Sequence, residues 1–250
     1  MSQPPFPDDP QSWALFLDFD GTLTELVDTP EQVEVDTQLT ASLTGCERLL
    51  GGALAIISGR PIVELDSFLR PARLTSAGLH GIERRLPDGS IRNNAAANPA
   101  DLDRIREHLT TLVAADRRLL LEDKGATVAL HYRLAPERMS DCLAAMREAV
   151  GARPNLEVLE GKMVVEVKTA GVDKGTTIKD FLSLEPFRGR RPVFAGDDVT
   201  DELGFAAINE LGGISIKVGP GPTRASHRCA DVGAFLKWLY AVAPPNAVQA

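Results

Sequence analysis

Acidic residues at two distant places in the chain have the types and spacing for chemistry: Asp18 and Asp20, at i and i+2, and Asp197, Asp198 and Asp201 much later. A phosphomonoester needs a nucleophile in line with its leaving oxygen and an acid beside that oxygen. Paired carboxylates at this spacing can supply both. Several carboxylates gathered at one spot repel at neutral pH unless a cation sits among them. With oxygen donors only, and neither His nor Cys nearby in sequence, the expected ion is Mg2+ before Zn2+. Ser58-Gly59-Arg60-Pro61 offers a hydroxyl and free backbone N–H groups at the mouth of a helix, a cradle for phosphate. Lys174 follows a capping Asp173 and sits in a helix's first turn, where it opposes the macrodipole by about 0.3–1 kcal/mol unless an anion binds there. Plainer roles stand beside these: Asp198 and Asp201 as helix caps, Ser58 as an N-cap only, Lys174 as a surface charge.

Four short apolar runs must position these groups: Trp13 to Leu17, Ala53 to Ile57, Pro192 to Ala195 and Ile214 to Val218. They read as strands covered on both faces, the habit of a parallel sheet. Helical patterns separate them. Leu39, Leu43, Cys46 and Leu50 form one stripe that Gly51-Gly52 can end, and Pro61 suits the first turn of a helix carrying Ile62, Leu65, Phe68 and Leu69. Strand and helix in alternation predict a doubly wound α/β core with a parallel sheet. Asp18 and Asp20, Ser58, and the later acids follow the ends of three of these strands, which in such a sheet share one crevice.

The segment 86–171 differs. Helices over Asp101 to Val113 and Glu137 to Val150 each precede a pair of strands joined by a charged turn: Arg118 to Glu122 with Thr127 to Arg133, and Leu156 to Glu160 with Met163 to Lys168. The strings Leu-Leu-Glu-Asp-Lys-Gly and Val-Leu-Glu-Gly-Lys-Met form a weak pseudo-repeat. Val128, Leu130 and Tyr132 alternate with Thr127, Ala129, His131 and Arg133, as a one-sided antiparallel sheet requires. The expectation is therefore a core built from 1–85 and 172–250 with an inserted α+β cap over 86–171. Glu122, Lys124, Glu160, Lys162 and Glu166 at the hairpin ends suit a hydroxyl-rich sugar, though charged turns are also commonly just solvated.

A net charge of −8 over 250 residues excludes a generally basic nucleic-acid binder. Cys46, Cys142 and Cys229 are far apart, so small buried hydrophobes are expected rather than a disulfide framework or a zinc site. Met1 to Asp9 lacks an apolar signal region, and no apolar run spans a bilayer. The expected setting is cytoplasmic, without a membrane partner, and the ends, including Pro244-Pro245-Asn246, are expected to fray.

Asp18-Phe19-Asp20-Gly21-Thr22, Ser58, Lys174 and Asp197-Asp198 occur in an order that resembles the haloacid-dehalogenase (HAD) phosphatases. The resemblance implies that Asp18 is the nucleophile and forms an aspartyl-phosphate, and that Asp20 is the acid and then the base. It implies that Ser58 and Lys174 bind phosphate, and that Asp18, Asp197 and the main-chain carbonyl of Asp20 hold Mg2+. Further strings, among them Gly78-Leu79-His80-Gly81, Ala129-Leu130-His131-Tyr132-Arg133 and Gly161-Lys162-Met163-Val164-Val165-Glu166, resemble the bacterial trehalose-6-phosphate phosphatases from about Leu15 to Trp238. That implies a cap that closes as a lid and grips the distal glucose through Glu122, Lys124 and Glu166. It also implies a small sugar-phosphate substrate and functional pairing with trehalose-6-phosphate synthase. It assigns no role to Glu160, and roles for Arg60, His80, Asp198 and Asp201 stay open. Rival readings are a phosphatase for sucrose phosphate or mannosylglycerate phosphate, and a receiver-like signalling module. Asp20 argues against the receiver, which should not carry a general base two residues after its phosphorylated carboxylate.

Overall fold

The computed structural model describes residues 4–29, 32–93 and 97–243; the expected fraying at Pro244-Pro245-Asn246 lies outside them. The chain divides into two units, Met1–Arg92 with Asp173–Ala250, and Asn93–Val172.

The first unit is built on a sheet whose strands are β1 (Trp13–Leu17), β2 (Leu54–Ile57), β3 (Thr75–Gly78), β4 (Glu83–Arg85), β5 (Ile91–Asn93), β10 (Arg191–Gly196), β11 (Ile214–Val218) and β12 (His227–Cys229). Their order is β12-β11-β10-β1-β2-β3-β4-β5. Pairing is parallel from β12 through β3 and antiparallel between β3 and β4. Every residue of β1, β2 and β11 is buried, as a sheet covered on both faces demands. Helix α1 (Thr37–Leu49) buries Leu39, Leu43 and Cys46, with Asp36 accepting from the Leu39 N–H at 2.7 Å as its cap. Helix α2 (Ile62–Phe68) follows Pro61, and Gly51 and Gly52 both take positive φ after α1. β4 and β5 extend this sheet past residue 85, so the first division comes later than the composition suggests. β3 has no counterpart among the apolar runs, because its residues, Thr-Ser-Ala-Gly, are small; the structure buries all of them.

The second unit has helices α3 (Pro99–Ala115) and α4 (Met139–Val150) and strands β6 (Leu120–Asp123), β7 (Val128–His131), β8 (Leu156–Gly161) and β9 (Val164–Thr169) in the order β6-β7-β9-β8, all antiparallel. One sheet face carries Val128, Leu130, Val165 and Val167, which join Leu102, Ile105, Leu109, Cys142 and Met146 in a single apolar cluster. The other face is not the wet one the alternation suggests: Ala129, Glu166 and Lys168 are buried there. Register also separates the two glutamates of the pseudo-repeat. Glu122 pairs with Ala129 and Ala129 with Glu166, whereas Glu160 pairs with Val165 on the apolar face and bonds Arg147 of α4. The repeat in letters is thus not a repeat in orientation. Cys46, Cys142 and Cys229 are free and buried. Among the described residues, no helix is long and apolar enough to cross a membrane.

Candidate active site

Neighbouring strands in the order β10-β1-β2 bring three chain segments to one edge of the large sheet. The Asp18 N–H donates to the Ala195 carbonyl at 2.9 Å, which extends the β1–β10 ladder one residue and holds Asp18 beside Asp197. Asp18 is buried: its Oδ2 accepts from the Thr22 hydroxyl at 3.0 Å, and its Oδ1 accepts from Lys174 Nζ at 2.6 Å. Lys174 opens helix α5 (Lys174–Phe181), whose capping box joins Asp173 and Thr176. The same ammonium donates to Asp201 Oδ1 at 2.6 Å.

Asp201 has no solvent exposure, and its second oxygen accepts the N–H groups of Asp197 and Asp198, each at 2.9 Å. Its role, open in the sequence, is to lock the turn after β10 and the lysine together. Asp198 caps the short turn before helix α6 (Glu202–Glu210), accepting from the Val199 N–H at 2.7 Å. Lys217 of β11, next in register to Gly196, donates Nζ to the Asp197 carbonyl. A lone lysine inside a fully buried strand was the available signal for this contact.

Oxygens of Asp18, Asp197 and Asp201 lie within 4.8 Å of one another. Burial pushes the Asp18 carboxyl well above the usual range, and Asp201 and Asp197 push it further, against the pull of Lys174. Burial lowers the Lys174 ammonium, but the charges and hydrogen bonds of Asp18 and Asp201 outweigh it and raise the group. A hard divalent cation fits this all-oxygen donor set and relieves the repulsion. Gly21 makes the close approach possible: it takes φ +80°, and a Cβ there would stand 2.3 Å from Asp197 Cγ.

Asp20 lies apart from that carboxylate cluster. Arg60 Nε and Nη2 bind its oxygens at 2.7 and 2.8 Å, while the guanidinium packs over Phe68, 5.0 Å from the ring centroid. Ser58 directly follows β2; its N–H donates to Ala77 O at 2.9 Å, and its Oγ accepts from the Arg60 N–H at 3.1 Å. Leu79 and His80 both take left-handed φ, 50° and 58°, and His80 N–H donates to Ser58 O at 2.9 Å. Backbone strain of this kind costs about 1–3 kcal/mol per residue and persists where surroundings enforce it. Here it braces the Ser58 loop.

In the second unit, Glu122, Lys124 and Glu166 come together. Lys124 Nζ stands 3.1 Å from Glu166 Oε2 and 3.8 Å from Glu122 Oε2, and His131 Nε2 is 2.7 Å from Glu122 Oε2.

A family model described as trehalose-phosphatase matches residues 16–232. A protein of Sinorhizobium fredii named a probable trehalose-phosphate phosphatase is 46% identical over 225 residues, covering 90% of this chain and 84% of that one. The trehalose-6-phosphate phosphatase of Escherichia coli is 42% identical, covering 91% and 85%. Among solved structures, the C-terminal domain of Candida albicans trehalose-6-phosphate phosphatase superposes with a TM-score of 0.83 at 22% identity, covering 93% and 92%. The fold is that of the HAD-superfamily phosphatases.

Proposed function

The chain belongs to the trehalose-phosphatase family, and on that premise we propose how its own residues hydrolyse trehalose 6-phosphate to trehalose and phosphate. The reading rests on one observation above the others: Asp18 is buried, held through one oxygen by Thr22 and through the other by Lys174, and lies within the carboxylate cluster. Asp18 attacks phosphorus; the Oδ–P bond forms as the bond from phosphorus to the sugar oxygen breaks, and Asp20 gives its proton to that oxygen. Asp20 then takes a proton from water, whose oxygen bonds to phosphorus as the Asp18 Oδ–P bond breaks. Ser58 and Lys174 bind the phosphoryl oxygens, and Arg60 fixes Asp20 between steps.

Asp18, Asp197 and the Asp20 main-chain carbonyl would hold Mg2+, which supplies charge neutralisation for the dianionic ester. Glu122, Lys124 and Glu166 recognise the sugar, the carboxylates accepting from hydroxyls and the ammonium donating. By the same reading, trehalose-6-phosphate synthase supplies the ester, and both enzymes work in the cytoplasm.

The deciding experiment is phosphate release from trehalose 6-phosphate, sucrose phosphate and mannosylglycerate phosphate, with and without EDTA. Turnover of the first alone, lost with EDTA and restored by Mg2+, is expected. Indifference to EDTA overturns the metal assignment, and equal turnover of all three esters overturns the cap assignment.

A further inference from the structure

One polar residue on the charged face of the cap sheet has no part in that scheme. His131 ends β7, and register sets it across from Leu120 on β6 and Val164 on β9, one step along from the row Glu122, Ala129, Glu166. It therefore shares their face. Its Nε2 lies 2.7 Å from Glu122 Oε2, the oxygen that Lys124 Nζ also approaches, at 3.8 Å. The side chains of His131 and Glu122 are 22% and 20% exposed, so water competes weakly for this bond. Burial raises the Glu122 carboxyl, but the His131 hydrogen bond and the nearby Lys124 outweigh it and hold the group below its usual range. An ionised carboxylate can only accept, so His131 Nε2 carries the hydrogen.

We propose that His131 is a positioning residue for substrate choice: by fixing Glu122 Oε2 it turns Oε1 to accept from one hydroxyl direction of the sugar. The inference rests on the reading of Glu122 as a sugar ligand. The terminal torsion of a glutamate is broad and two-fold, so an untethered carboxylate offers its oxygens over a wide arc. The His131 hydrogen bond, with the Lys124 charge 3.8 Å from the same oxygen, removes that freedom. Ala129 completes the device, because its buried methyl between Glu122 and Glu166 neither bonds nor blocks either acid.

The test measures trehalose 6-phosphate kinetics of the full chain with Mg2+ for His131→Leu, His131→Asn, His131→Gln and Glu122→Ala. His131→Leu is expected to raise KM about ten- to hundredfold, the effect of losing one hydrogen bond to a charged group, with kcat within about threefold. His131→Asn keeps an amide too short to reach Oε2 and carries the same expectation should the leucine variant fail to fold. His131→Gln can donate from nearly the same place and should recover most of the wild-type KM. If loss variants keep the wild-type KM, or glutamine is as impaired as leucine, the proposal is overturned. Glu122→Ala separates the two readings. A raised KM there with unaltered loss variants removes His131 alone, whereas an unaltered KM in Glu122→Ala removes the sugar-ligand assignment and His131 with it.

Discussion

Two clusters of acids, one in each unit, use the same side-chain chemistry with different charge balance. In the core, the carboxylates of Asp18, Asp197 and Asp201 crowd around the single ammonium of Lys174. In the cap, Glu122 and Glu166 share Lys124, and Glu122 also has His131. The core cluster is left negative, with Asp18 pushed toward protonation, so it could hold a metal ion, and on the proposed reading that ion lets it receive a dianion. The cap cluster, two carboxylates to one ammonium with His131 bonded to Glu122, carries less surplus charge, which suits a neutral ligand bound by oriented hydroxyls. On the proposed reading, charge balance rather than residue type separates a site for chemistry from a site for recognition.

The sharpest way to break this contrast is at the nucleophile. Asp18→Asn should lower turnover of trehalose 6-phosphate and of an aryl phosphate alike, by at least about a thousandfold, as loss of a covalent catalyst does. Activity above that level on either ester would take Asp18 out of the chemistry. Asp20→Asn should cost about 10²–10⁴-fold in turnover while leaving phosphate-ester binding in place, the range for general acid–base catalysis. A binding defect seen by calorimetry would instead make Asp20 a ligand. In the cap, Glu166→Ala should lower kcat/KM for the disaccharide ester about ten- to hundredfold more than for the aryl ester, because a missing partner leaves buried polar groups unpaired. Equal losses on both esters would dissolve the distinction between the clusters. At the small end, Glu160→Ala, on the opposite sheet face and paired with exposed Arg147, should alter kcat/KM by less than about twofold, as surface ion pairs contribute little. A large loss would mean that sheet orientation does not decide which glutamates matter.

Much of this was legible in the sequence, for identifiable reasons. β1 matches its apolar run because a strand buried on both faces leaves an unbroken hydrophobic string, whereas β11 is buried throughout although Ser215 and Lys217 alternate with its apolar residues. Asp18, Ser58 and Asp197 follow strand ends, so pattern alone pointed to their meeting. β3 was illegible because Thr75, Ser76, Ala77 and Gly78 carry no strand signature; neighbouring strands supply their burial. Nor could letters reveal that Glu122 and Glu160 face opposite ways, since facing depends on the pairing register. Asp201 carried a signal, its spacing after Asp197 and Asp198, but its task became visible only when Lys174 arrived beside it from another helix.

The insertion of the cap into the core has a consequence for the making of the protein. β1 lies between β2 and β10, and Asp18 is 156 positions from the lysine that grips it. Such distant pairings close late and slowly. A chain emerging from the ribosome therefore completes all of Asn93–Val172 before β10 has been synthesised. Until then β1 lacks one of its two neighbours, and the nascent chain carries Asp18, the proposed nucleophile, without Lys174 or Asp197. Catalytic competence is thus among the last properties the polypeptide acquires.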